Sequence, residues 1–177
     1  MAVPGDAHPL RRAYNVLVYT TATPILRPLQ RHERAPVLTV FRGLGERSRR
    51  RRFLGAKPRL SARELETLTD LQRGRHEAIV ASDPTTGRAV AIARFVRDPC
   101  DEAVAEIAFE VVDACQGRGL GRRLARELGL RARRAGLDRL RATVELGNEP
   151  AFALLRRLGT IEETRLDGEV VEVLVAL

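Results

Sequence analysis

The stretch that most constrains this chain is Gln116-Gly117-Arg118-Gly119-Leu120-Gly121, set between two strong periodicities. Upstream, residues 103–112 alternate. Ala103, Ala105, Ile107, Phe109 and Val111 fall on one face, and Val104, Glu106, Ala108, Glu110 and Val112 on the other, the period of a strand. Downstream, Leu120, Leu124, Leu128 and Ala132 recur every four residues as a helical stripe, with Gly136 as its C-terminal cap. A strand therefore turns through glycines directly into a helix. Glycine lets the backbone turn tightly and approach a ligand. The first helical turn carries unpaired N–H groups at the positive end of the helix dipole. Together they suit a phosphate or pyrophosphate, with Arg118, Arg122 and Arg123 as further donors. The same glycines also suit a tight turn that only packs strand on helix. Walker A is excluded, since no Gly-Lys-Ser/Thr follows. The dinucleotide fingerprint lacks its third glycine, whose place Arg122 or Leu124 would take.

The rest of the chain fills in a mixed sheet. After a tail over residues 1–13, residues 14–21 read as a strand stopped by Pro24. Residues 36–44 put Val37, Val40, Phe41 and Leu44 on one helical face, with Pro36 in the first turn. Ser61 and Glu64 form a capping box, and Leu60 and Leu65 a staple, for a helix reaching about Asp70. Residues 77–82 and 89–96 read as strands around a hairpin loop at 83–87. Residues 140–146 form another strand. Asn148 then caps a helix over 149–158, with Pro150 in its first turn and Gly159 past its end. Strands over 160–166 and 169–175 flank Asp167-Gly168, a two-residue hairpin signal. This order implies a mixed α/β sheet with a crossover helix, as one domain over residues 14–177.

Charge is the other distinctive feature. The 177 residues carry a formal charge of +8, and Lys57 is the only lysine among 31 basic residues. An arginine excess fits nucleic acid, a membrane surface or an anionic ligand, and composition does not choose among them. Arg49-Arg50-Arg51-Arg52 is the densest run. It could steer an acidic protein or tRNA, but a solvated helix face accounts for it more simply, and Phe53 stands alone rather than in a stacking pattern. Cys100 and Cys115 make no disulfide framework, and free thiols fit a reducing cytoplasm. His8, His32 and His76 are scattered, and no HExxH or CxxC occurs, so no metal is expected. No apolar run reaches the roughly 18–20 residues that span a bilayer. Arg11-Arg12 ahead of residues 14–26 faintly matches an export signal, but Thr20, Thr21, Thr23 and Pro24 break it, and no small-x-small site follows.

The glycine loop resembles the Q/R-x-x-G-x-G/A motif of GNAT-type acyl-CoA N-acyltransferases, and Asn148 through Gly159 resembles that family's second motif. The order of elements over residues 14–177 fits. The resemblance implies a GNAT fold of the α/β (α+β) class: a mixed, mostly antiparallel sheet of six to seven strands flanked by about four helices. It also implies acetyl-CoA as cosubstrate. Gln116, Gly117, Arg118, Gly119, Leu120 and Gly121 would hold its pyrophosphate, with Arg122 adding charge. Asn148 would lie beside the pantetheine arm, and Val111 and Val112 would pair with the pantetheine amides. A narrower similarity, to the catalytic domain of Pat-type bacterial protein lysine acetyltransferases, runs through three segments. These are Arg94-Phe95-Val96-Arg97-Asp98-Pro99, Ala105-Glu106-Ile107-Ala108-Phe109 and Gln116-Gly117-Arg118-Gly119. Leu68-Thr69-Asp70 and His76 fit the same pattern.

The chemistry then needs a base, because a lysine amine is mostly protonated at pH 7. The resemblance carries that role to Glu106, with Glu110 as second candidate. Either could instead merely face solvent. Many family members place a tyrosine in the second motif to protonate the leaving thiolate. Leu155 stands there, and the only tyrosines are Tyr14 and Tyr19. A thiol with a pKa of roughly 8.5 can leave without a dedicated acid. Cys115 reads as a small buried thiol, and His76 as a surface or hydrogen-bonded histidine. The expected acceptor is a protein lysine. A small amine or aminoacyl-tRNA is the alternative, and a non-catalytic acyl-CoA sensor or basic nucleic-acid-binding module the reading of another class. Nucleic acid and membrane are not expected partners, and a monomer or homodimer is expected.

Overall fold

Apolar alternation in the middle of the chain builds the sheet, and one helical stripe closes one side of it. The structure, a computed structural model, describes residues 22–177. The strand expected at residues 14–21, the tail before it and both tyrosines lie outside the described residues. Within them the order is β1 (Ile25–Pro28), α1 (Arg34–Gly43), α2 (Glu46–Phe53), α3 (Ala62–Thr69), β2 (His76–Ser82), β3 (Ala89–Arg97) and β4 (Val104–Val111). After a 3-10 turn follow α4 (Leu120–Arg134), β5 (Arg139–Glu145), α5 (Glu149–Leu158), β6 (Thr160–Asp167) and β7 (Val170–Ala176). The seven strands lie in the order β1-β2-β3-β4-β5-β7-β6. Every pairing is antiparallel except β4 with β5.

That parallel pair positions the site. Its register runs only over Val104–Arg139, Ala105–Leu140 and Glu106–Arg141. Beyond these residues the two strands separate and open a cleft in the sheet.

Helices α1, α2 and α3 lie on one face, α4 and α5 on the other. On α4, Leu120, Leu124, Leu128 and Ala132 are all buried, and with Phe95, Ile79, Ile92 and Leu140 they form the centre of the core. Each such side chain contributes about 1.5–3 kcal/mol on removal from water. On α1 the buried residues are Val37, Val40 and Phe41. The capping box of α3 is formed: Glu64 N–H donates to Ser61 Oγ, and Ser61 N–H to Glu64 Oε2 at 2.8 Å. Leu60 and Leu65 pack against the core.

The described residues hold five α-helices beside the seven strands, consistent with the expected architecture. Two expectations need correction. Strand β1 begins just past Pro24, where extended structure was expected to stop; at four residues it is too short for periodicity to reveal. The last hairpin turns at Gly168-Glu169 rather than Asp167-Gly168, because Asp167 still pairs with Val170. Its one left-handed position is Gly168, φ 59°. Placing that glycine first in the loop moves the turn by one residue.

Candidate active site

Where β4 and β5 part, a cavity of about 570 Å³ opens, within the range of small-ligand sites. Residues 106–111 of β4 form one wall and Ala142, Thr143 and Val144 of β5 another. The glycine loop, the start of α5 and helix α2 complete it.

The loop is built as its sequence implies. Gly117 and Gly119 have φ of 74° and 77°, a conformation side chains resist. Gly119 is the N-cap of α4, and no side chain caps it, so first-turn amides are left for a ligand. A Cβ on Gly117 or Gly119 would meet nothing within 4 Å, whereas one on Gly121 would sit 3.2 Å from Leu154. Gly121 is thus small for helix packing. Gln116, Gly117, Gly119, Leu120, Gly121 and Arg122 all line the cavity. The Gln116 side chain is already engaged within the fold: its Nε2 donates to Val111 O at 3.0 Å and reaches Asp113 Oδ1 and Ser48 Oγ.

Two expected residues stand apart. Val112 is buried and does not line the cavity; its N–H donates to Val90 O at 3.0 Å and its carbonyl accepts from Cys115 N–H at 2.8 Å. Strand pairing to a ligand through Val112 is therefore closed off, whereas Val111 does line the cavity. Arg118 is exposed and outside the lining. Asn148 lines the cavity at the N-cap of α5, but its side chain makes no cap hydrogen bond.

The two carboxylates on β4 differ sharply. Glu106 is exposed to the cavity, and among the described residues it makes no hydrogen bond or ion pair. Register sets it in a row with His76, Val96 and Arg141 on one face. Glu110 is 4% exposed. Its Oε1 accepts from Arg52 Nε–H at 2.8 Å and lies 3.8 Å from Arg94 Nη2. It neither faces solvent nor has that oxygen free to take a proton.

Other groups settle smaller questions. Burial pushes the Cys115 thiol up, outweighing the opposite pull of Arg118. Cys115 lines the cavity as a neutral thiol, not a nucleophile. Leu155 is buried in the lining, so an apolar side chain fills the usual tyrosine position. His76 is hydrogen-bonded, Nδ1 lying 3.2 Å from Asp70 O, and burial pushes its pKa down. Among the described residues no His/Cys/Asp/Glu group could hold a metal ion, and no helix is long and apolar enough to cross a membrane.

The arginine run is only in part a solvated face, with Arg50 61% exposed. Arg51 and Arg52 line the cavity and are only 24% and 20% exposed. Arg51 pairs with Glu145 at 2.9 Å. Sequence reasoning missed the Arg52–Glu110 and Arg51–Glu145 pairs that tie α2 beside the cavity, because they join positions 58 and 94 apart. The run of four arginines beside an apolar stretch was the only signal.

Comparison with known proteins agrees with this geometry. The model of the acetyltransferase (GNAT) family matches residues 46–160. A curated relative, acetyltransferase Pat of Mycolicibacterium smegmatis, is 35% identical over 97 residues, covering 55% of this chain and 29% of that protein. The chain thus matches less than a third of that relative's length. Among solved structures, the GNAT domain of S. lividans PAT superposes with a TM-score of 0.79 at 24% identity, over 88% of this chain and 92% of that one. An acetyltransferase from Salmonella typhimurium, solved with acetyl-CoA, superposes with a TM-score of 0.68 at 18% identity, over 88% and 94%. At these identities the two structures speak for the fold.

Proposed function

This chain belongs to the GNAT acetyltransferase family, and from that membership we propose that it transfers an acetyl group directly from acetyl-CoA to a protein lysine side chain in the cytoplasm. The lysine acceptor is supported by the 35% identity to Pat. The observation that carries the mechanism is the contrast on β4: Glu106 is unpaired in the cavity, and Glu110 is spent on arginine.

The residues fit acetyl-CoA. Left-handed Gly117 and Gly119 leave space where a Cβ would project, and uncapped α4 amides supply donors for a pyrophosphate. Arg122 adds positive charge at the same end, Asn148 offers an uncommitted amide side chain, and Val111 edges the opened strand. Acetyl-CoA supplies the acetyl thioester. The amine approaches from the α1–α3 face, on which Glu106 projects. Glu106 accepts the amine's proton, directly or through water. The nitrogen bonds to the acyl carbon, the carbon–sulfur bond breaks, and the thiolate departs without a tyrosine acid, past Leu155.

The test is thiol release from acetyl-CoA with lysine-containing peptides, wild type beside Glu106→Gln. The variant should lose about 10²- to 10⁴-fold in kcat, the range for a positioned general base. Full activity of Glu106→Gln across pH would remove Glu106 from this role. Coenzyme A binding without turnover of any amine would favour a sensor. Turnover of a small amine or aminoacyl-tRNA alone would replace the acceptor.

A further inference from the structure

Helix α2 lies along the cavity without one buried residue. Eight residues are too few for a helix to persist on its own, so its ties to the rest decide where it sits. They are aromatic and ionic: Phe53 meets the Phe41 ring edge-on at 5.8 Å and the Arg49 guanidinium lies 4.6 Å over that ring, while the arginines after it reach the sheet. Arg52 reaches Glu110 at 2.8 Å on β4. Arg51 reaches Glu145 at 2.9 Å at the end of β5, and Arg50 reaches Glu145 at 3.7 Å and Glu169 at 3.4 Å. The helix therefore bridges the two strands whose separation makes the cleft.

Exposed pairs of this kind hold weakly and are screened by salt. The Arg50 contacts are of that sort, with Arg50 61% exposed. Arg52 and Glu110 are different, at 20% and 3%. Behind Glu110 stands Arg94, 3% exposed. Register places Arg94 between Ala78 and Ala108, two small neighbours that leave room for its long side chain. Its Nη1 donates to Leu68 O at 2.7 Å. Its Nε and Nη2 are buried and have no hydrogen-bond partner. Nη2 lies 3.8 Å from the same Glu110 oxygen that Arg52 occupies. One carboxylate is thus faced by two guanidinium groups: one holds it, and the other waits within a small side-chain movement.

Such an arrangement is poor for stability alone, since two donors stay unspent in the core. It suits a contact that must open. Removing one partner of a buried pair normally strands a charge. Here Arg94 would receive Glu110 when Arg52 leaves.

We propose that Arg52 is a positioning residue: its pair with Glu110 latches α2 across the acceptor side of the cavity, and Arg94 takes over Glu110 when α2 swings aside to admit a bulky acceptor. This rests on the proposed function for what enters, and on geometry for the latch itself.

The experiment compares wild type, Arg52→Gln and Arg52→Lys of the full chain by amide hydrogen exchange over α2 and by acetyl transfer to a lysine peptide. In Arg52→Gln, α2 amides should exchange at least about tenfold faster while α4 amides stay unchanged. The peptide KM should shift by about tenfold, with kcat at saturation within about threefold. Arg52→Lys should restore most of both. Raising salt should speed α2 exchange to a similar degree in wild type and Arg52→Gln, because it screens the exposed Arg50 pairs present in both and hardly reaches the buried Arg52–Glu110 pair. Unchanged α2 exchange in Arg52→Gln overturns the latch. Failure of Arg52→Gln to fold overturns the takeover by Arg94, and Glu110→Gln, which strands Arg94, should be the less stable of the two. Absence of transfer to any amine would strike the proposed function and leave the exchange result to judge the latch.

Discussion

Helices α4 and α2 both border the opened strands, one on each face of the sheet, and they are held by different forces. Helix α4 buries Leu120, Leu124, Ala125, Leu128, Gly129 and Ala132. Helix α2 buries nothing and rests on Arg51 and Arg52 paired to Glu145 and Glu110, with Phe53 and Arg49 against the Phe41 ring. Packing of this density fixes a helix in one place and transmits any change in volume. Ion pairs fix it more weakly, and the exposed ones, such as those of Arg50, yield to salt. The side that presents the glycine loop is therefore rigid, as an anion site made of backbone amides must be. The side on which α2 lies is adjustable, as the proposed protein acceptor would require.

The largest effect that could break this contrast lies on the rigid side. Leu124 is fully buried, and Leu124→Ala should cost about 3–5 kcal/mol by urea unfolding. Arg51→Gln, which removes a rim pair of the opposite helix, should cost well under about 1 kcal/mol. Equal losses would mean that α2 is as integral to the fold as α4.

A smaller effect sharpens the contrast within the loop. Gly119 sits at φ 77° with nothing within 4 Å of a would-be Cβ. Gly119→Ala should cost about 1–2 kcal/mol through left-handed strain. It should also raise the KM for acetyl-CoA by about tenfold, because the methyl group stands where the ligand must approach. A changed peptide KM with an unchanged acetyl-CoA KM would place the pyrophosphate elsewhere.

The same contrast explains what the sequence could disclose. The stripe Leu120, Leu124, Leu128, Ala132 is local, and its period names both helix and buried face before any contact is known. The Ser61–Glu64 box and the left-handed Gly117 and Gly119 are local too, and each lies where its residue types require. The Arg52–Glu110 pair joins positions 58 apart, and no period links them. Residue 110 shares a strand face with 106 and 108, as the alternation implies, but alternation does not tell an open carboxylate from one sealed under a helix. Nor does it show that Val112 turns its N–H to Val90 instead of to a ligand. The glycine-loop side of the cavity was legible because backbone geometry makes it. The α2 side was not, because side chains brought together by topology make it.

The smallest expected effect tests charge on α3, which shares a face with α2. Glu64 is drawn down to about 2, first by the Lys57 ammonium and then by the Ser61 N–H and hydroxyl. Its folded value lies below the unfolded one, so its contribution is complete above about 4.5 and is lost as pH falls toward about 2. Glu64→Gln keeps a side chain able to close the capping box but loses the charge facing Lys57. Wild type should therefore unfold at slightly higher urea than Glu64→Gln at pH 7, and the gap should narrow through that window and close at its acid end. A gap that persists undiminished to the acid end would assign the contribution of Glu64 to shape rather than charge. Local charge at this cap would then do nothing that an uncharged cap could not.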